Sequence, residues 1–206
     1  MKSSYIVVIV LVVAAAAMVI YSLQGGPSSE EYNRDVEKER QEKNDLMKNG
    51  AESPFGEHKA EFKTLNYFAP DIAYRIVADL QPIDNKKVVT LTTSDGQDQQ
   101  YLEYAYASFA LNGVDSKLLI LEVMDSGPYR GTLFLAFADD TSAKETYGAG
   151  RYLDIKKVPG ASTITLDFNK AYNPYCAYSD KYSCPFPPKN NILKVAVNAG
   201  EKSYHR

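Results

Sequence analysis

Hydrophobic positions divide the chain into three parts. From Tyr5 to Leu23 nearly every residue is apolar, and no charge occurs between Ser3 and Ser29. A helix of that length is about 28 Å long, the thickness of a bilayer's hydrocarbon core. Tyr5 and Tyr21 stand where interfacial aromatics belong. A cleaved signal peptide is the alternative, but its apolar region is shorter and ends in small residues, whereas Ala14 to Ala17 lie in the middle of this run. No Cys follows the run, which excludes a lipoprotein anchor. The expectation is a transmembrane anchor over 1–26, inserted through 5–23. One Lys precedes the span, and a short N-terminus of that kind stays cytoplasmic. The basic residues after the span pull weakly the other way but alternate with acids. The rest of the chain is therefore expected on the extracytoplasmic side, periplasmic or at the cell surface.

The second part, 27–50, is a charged helix. Ser28 and Glu31 have the spacing of a capping box, no Gly or Pro interrupts the stretch to Lys48, and Asn49-Gly50 ends it. Its apolar residues are few: Tyr32, Val36, Leu46 and Met47. The spacing predicts a solvated helical spacer between membrane and domain, with docking of one face as the alternative.

After Gly50 the hydrophobic period falls to two. Ala73 to Leu80 alternates, with Tyr74, Ile76, Ala78 and Leu80 on one face. Val88 to Thr93, Gln100 to Leu111, Lys117 to Met124, Thr132 to Ala138, Thr163 to Phe168 and Ile192 to Asn198 read as further strands. Ser94-Asp95-Gly96 and Asn112-Gly113 are hairpin turns. Short strands with frequent turns predict a mostly β domain over 51–206, an antiparallel β-sandwich or barrel.

Composition adds exclusions. The 206 residues carry 23 basic and 26 acidic side chains, a net charge of −3, with no basic block, so nucleic acid is not an expected partner. Sixteen Tyr and no Trp are unusual. The two His, His58 and His205, are expected at the surface, and with two Cys they make too weak a set for zinc. No cofactor and no metal are expected. Cys176 and Cys184 span a short loop and, outside the cytoplasm, are expected to form a disulfide, reduced thiols being the alternative.

Candidate chemistry gathers between Asp139 and Glu201, where Tyr, Asn, Gly, Pro and single charges replace the core pattern. Glu145 and Asp167 are the candidate catalytic carboxylates, with Asp154 and Glu201 as further acids that could pair with them. Asp139-Asp140-Thr141 offers oxygens to a hard cation or forms an ordinary turn. Arg151 either holds an anion or pairs structurally with Glu145 or Asp167. Tyr147, Arg151, Tyr152, Asn169, Asn173, Tyr178, Asn191 and Glu201 are the candidate binding residues, because phenols offer both a flat face and a hydroxyl. Tyr172 and Tyr175 extend the same set.

Several of these stretches carry a resemblance. Asp167-Phe168-Asn169, Ala171 to Tyr178 and Cys184 to Pro188 look like the signature of the domain of unknown function 1684 family. The likeness extends through Ser53-Pro54, Phe62 to Phe68 and Leu133 to Arg151, and covers 30–204. It departs from the family pattern at Ala138, where an Arg is usual, at Ala143, where a Gly is usual, and at Asn190, where a Glu is usual. The resemblance implies a shared fold and a shared cluster, and no activity. The expected function is binding of a small molecule, glycan or protein by a membrane-anchored domain. The alternatives are a hydrolase using paired carboxylates and a structural component of an envelope complex.

Overall fold

The computed structural model describes residues 28–125 and 127–204. The expected membrane span lies outside them, and no helix among the described residues is long and apolar enough to cross a membrane. The chain divides into two compact units, residues 1–32 and 33–206. The described part of the first is the opening turn of helix α1 (Ser29–Asn49), where the Glu31 N–H donates to Ser28 Oγ at 3.2 Å, as the capping-box spacing predicts. At its other end Gly50 N–H donates to the Leu46 carbonyl at 2.7 Å.

Within the second unit α1 is not a free spacer. Val36, Arg40 and Met47 are buried, while the residues around them are exposed. Their spacing puts them on one helix face. The expected solvated spacer is corrected for residues 33–49: two of the face's positions, Arg40 and Lys43, are charged, which hides an amphipathic stripe from a count of apolar residues.

Among the described residues seven antiparallel strands form one sheet: β1 (Arg75–Pro82), β2 (Val88–Thr92), β3 (Asp98–Leu111), β4 (Val114–Val123), β5 (Leu133–Phe137), β6 (Arg151–Ile155) and β7 (Thr163–Asp167). Their order is β6-β5-β4-β3-β1-β7, with β2 also on β3. β3 pairs with β4 from Tyr101 to Leu111, while its other edge serves β2 through Asp98 to Leu102 and β1 from Ala105 to Ser108. A bulge at Tyr104 separates the two partners, and bulges bend and twist a strand. Asn112 and Gly113, at φ +51 and +77, make the β3–β4 turn, a conformation that suits the strands' twist. The sheet curls into a half-barrel around one core. Ala78, Ala105 and Ala107 keep the bent strands close, and Phe109, Phe137 and Phe168 fill the interior.

Two segments differ from the expected strands. Arg151–Ile155 is a strand that the polar residues around it obscured. Ile192 to Asn198 alternates as expected, with Leu193, Val195 and Val197 in the core, yet it joins no ladder and makes only an isolated bridge from Ile192 to Ala138. Hydrophobic alternation reports burial and leaves hydrogen-bond partners undetermined.

Asn191 stands where β4 and β5 diverge. Their pairing stops after Leu121–Phe134. Beyond it, Asn191 Oδ1 accepts from Leu119 N–H at 2.7 Å, and Nδ2 donates to the carbonyls of Leu119 and Ala136 at 2.9 and 2.8 Å. One buried carboxamide thus replaces the missing rungs of the ladder. Asn191→Ala strands three buried backbone groups and lowers the unfolding free energy by about 3–5 kcal/mol. Denaturant titration checks this; a loss below about 1 kcal/mol would mean that the strands close up without the side chain.

Candidate functional site

The polar residues between Asp139 and Glu201 assemble into three groups. The first centres on Arg151, which is fully buried at the start of β6. Nη2 donates to Asp139 Oδ2 at 2.9 Å and to the Val197 carbonyl at 3.0 Å. Nη1 donates to the carbonyls of Ala199 and Glu201. Asp139 Oδ1 accepts from Thr141 N–H and Oγ1 and from Val197 N–H, at 2.8, 2.6 and 3.2 Å. Burial lowers the Arg151 pKa, and the Asp139 carboxylate opposes the shift. The ion-pair partner of Arg151 is Asp139, not Glu145 or Asp167. The guanidinium faces the C-terminal backbone with no solvent exposure, and the Asp139 carboxylate is already occupied by its own turn and by Arg151.

The second group surrounds Glu201, also fully buried. Gly200 places it: at φ +76, a Cβ there would stand 2.6 and 2.7 Å from the carbonyls of Phe168 and Ala171, so only glycine fits. Glu201 Oε1 accepts from Asn173 Nδ2 at 2.9 Å and from the Tyr178 hydroxyl. Oε2 accepts from Lys43 Nζ at 3.2 Å and from Asn173 N–H at 3.3 Å. Four donors satisfy the carboxylate away from water. Burial first, and then the charge of Glu201, push the Tyr178 pKa up, so the phenol stays a donor.

Beside this group, between α1 and the Asn169–Ala171 segment, lies a cavity of about 100 Å³. Arg40, Lys43, Tyr67 and Lys170 line it. Arg40 Nη1 donates to Glu37 and to the Phe68 carbonyl, both at 3.0 Å, and its guanidinium lies over the Tyr67 ring at 4.5 Å. Lys170 pairs with Glu39 at 2.6 Å. Two buried atoms of lining residues have no partner, Arg40 Nε and the Tyr67 hydroxyl. Burial, and secondarily Glu201, raise the Tyr67 pKa, so its hydroxyl is neutral and able to donate.

The third group holds the cysteines. Both are thiols, Cys176 half-buried and Cys184 buried, which corrects the expected disulfide. Cys176 N–H donates to Cys184 Sγ at 3.3 Å, and Tyr147 Oη lies 3.8 Å from Cys176 Sγ. Tyr152, Tyr172, Tyr175 and Tyr182 pack around them.

The remaining expected residues are spread out. Glu145 is exposed, and Asp167 caps a turn by accepting from Asn169 N–H at 3.2 Å. No described hydrogen bond joins these two carboxylates. Asn169 pairs both ways with the Asp71 backbone, at 2.9 and 2.7 Å. Tyr152 donates to the Pro185 carbonyl at 2.6 Å, and the Tyr172 hydroxyl donates to Asp154 at 2.8 Å. His58 meets Glu61 at the surface, and His205 lies outside the described residues. Among the described residues no three His, Cys, Asp or Glu side chains gather as metal ligands. Sequence reasoning missed Arg40, Lys43 and Tyr67. The signal for the first two was their place between Val36 and Met47 on one helix face, and Tyr67 lies within the stretch that carried the resemblance.

Arg151→Met leaves Asp139 and three carbonyls without their donor in the core. The cost is about 3–5 kcal/mol, read by denaturant titration, with faster amide exchange over 195–201 than over β3. Unchanged stability would remove Arg151 from the role described.

Comparisons with known proteins extend these observations. No curated protein matches the chain. The solution NMR structure of an uncharacterized protein of Haloarcula marismortui is 37% identical, with a TM-score of 0.63, over 84% of this chain and 95% of that one. Ala143 sits at φ +63, in the left-handed region that favours glycine. The model of a family described as proteins of unknown function, DUF1684, matches residues 60–202, and the chain belongs to that family.

Proposed function

We propose that the chain is a membrane-anchored binding domain that takes a small oxyanion, a carboxylate or phosphate group, in the cavity beneath α1. The observation that carries the reading is the pair of buried donors left without acceptors, Arg40 Nε and the Tyr67 hydroxyl, on residues lining one cavity. Buried polar groups are nearly always paired, and an unpaired one calls for a water, an ion or a ligand. Both atoms here need an acceptor oxygen. Lys43 and Lys170 add positive charge, although Glu37, Glu39 and Glu201 balance the three cations. The cavity thus favours a small anion held by hydrogen-bond geometry over one held by net charge. Its volume of about 100 Å³ suits a group of a few heavy atoms.

Titration of the full chain in detergent micelles with inorganic phosphate, and separately with acetate, followed by amide NMR, tests the reading. Saturable shifts at Arg40, Tyr67 and Asn169 are expected with at least one of the two. Tyr67→Phe removes an unpaired hydroxyl, so it leaves stability within about 0.5 kcal/mol while weakening that binding roughly tenfold. Equal affinity in wild type and variant, or no saturable shift with either anion, would sink the proposal.

The anchor is part of the same reading, and its support is the uncharged apolar run through 5–23 together with the single Lys before it. Expressed cells should carry the chain in the membrane fraction at its full mass. Protease added outside intact cells, or to spheroplasts, should remove residues 51–206. Recovery of a shortened chain free in solution would replace the anchor with a cleaved signal.

A further inference from the structure

We propose that Cys176 and Cys184 form a redox-active dithiol, with Cys176 the attacking sulfur, Cys184 the resolving one, and a low-molecular-weight disulfide as the co-reactant. The proposal is independent of the anion cavity. It rests first on geometry. The Cys176 N–H donates to Cys184 Sγ at 3.3 Å, which brings the second sulfur against the backbone of the first cysteine. Both residues lie in irregular chain. Cys176 sits in the turn Tyr175–Ala177, and Cys184 precedes the isolated bridge from Pro185 to Thr93. The sulfurs can therefore close the remaining gap without breaking a strand ladder.

The two sulfurs are unequal in access and in surroundings. Cys176 is half-buried and Cys184 buried, so a reagent reaches Cys176 first. The Cys184 segment is pinned by Ser94: Cys184 N–H donates to Ser94 Oγ at 3.1 Å, and Ser94 N–H donates to the Cys184 carbonyl at 2.9 Å. Among the donors beside it, the Cys184 thiol acts most strongly on the titration of Cys176, then the Ser94 and Tyr147 hydroxyls, the last at 3.8 Å from Cys176 Sγ. These donors bring its pKa down to about 6 against the burial that raises it, and the same proximity pushes Cys184 up. The titratable groups that face the pair are Tyr101, Tyr147, Tyr152, Tyr172, Tyr175 and Tyr182, with Asp180 acting on Tyr147. The phenols that interact with the pair are held neutral by burial, so near neutral pH they serve as neutral dipoles around the thiolate. A low-pKa accessible thiolate beside a protonated second thiol is the arrangement that redox-sensitive cysteines share.

The reaction balances in two displacements. The Cys176 thiolate attacks one sulfur of the disulfide R–S–S–R, forming Cys176–S–S–R and releasing RS⁻, which takes a proton from solvent. Cys184 then gives its proton to solvent and attacks Cys176 Sγ, forming the intramolecular bond and releasing the second RS⁻, which is protonated in turn. The two protein thiols lose two electrons in all, and one disulfide becomes two thiols.

The test uses the full chain in detergent micelles, reduced and freed of reductant, with oxidised glutathione as the probe. Wild type should lose two hydrogens in mass and keep no glutathione, and dithiothreitol should restore the reduced mass. Cys184→Ser should trap one glutathione on Cys176. Cys176→Ser should react at least tenfold more slowly. The wild-type rate should be half-maximal near pH 6, because a lowered pKa keeps the thiolate present above that pH, and this profile needs no variant. A half-maximum at pH 8 or above, an adduct on Cys184, or equal rates in the two variants would overturn the proposal. A cross-link that dithiothreitol leaves intact would overturn it too, by making the pair a permanent staple.

Discussion

Backbone that leaves a sheet but stays in the core must find new partners for its carbonyls, and the rest of this structure depends on how Arg151 supplies them. The segment after Ile192 carries Leu193, Val195, Val197 and Ala199 into the interior of the curled sheet. It gains their burial but joins no strand ladder beyond the isolated bridge from Ile192 to Ala138. Arg151 reaches from β6 and donates to Val197, Ala199 and Glu201, while Asp139 accepts from Val197 N–H. The guanidinium thus does the work of a ladder edge, and Asp139 balances its charge at 2.9 Å. A lysine could not replace it, since the bonds use the planar fork of the guanidinium. Asn191 solves the same problem one step earlier, between β4 and β5.

Once that segment is fixed, the position of Glu201 follows. Its carboxylate ends up buried beneath α1, where Lys43, Asn173 and Tyr178 satisfy it. The charged helix is thereby tied to the β domain through ionic as well as apolar contacts. Val36 and Met47 bury area at the two ends of the face, and Arg40 and Lys43 between them reach carbonyls and a carboxylate. Broken singly, such buried pairs leave an unpaired charge, so they specify where the helix sits more than they add net stability. The cavity beside Lys43 is what remains where the face does not close.

The tyrosine surplus divides among distinct tasks. Tyr178 joins Phe55, Phe62 and Tyr204 in an aromatic cluster that also holds Met47. Tyr152 and Tyr172 pack edge to face and use their hydroxyls on Pro185 and Asp154. Tyr147 turns its hydroxyl to a thiol. In each case a phenol fills apolar space and still satisfies a polar group, which suits a domain whose loops, rather than its strands, cover much of the core.

The sequence alone determined the elements whose signals are local. Alternation marked Tyr74, Ala78 and Leu80 as one buried face, Asn112-Gly113 marked the turn, and Ser28 with Glu31 marked the start of α1. Family membership was equally legible, because the residues from Asp167 to Pro188 resemble the family's signature and the family model matches residues 60–202. What only the tertiary structure decided was the pairing of residues far apart in the chain. That Arg151 meets Asp139 and that Glu201 meets Lys43 across 158 residues depend on how far the bulged β3 bends the sheet and on where the C-terminal segment enters it. Periodicity encodes which face of a strand is buried; the partner of a buried charge is set by three-dimensional proximity, which no local pattern records.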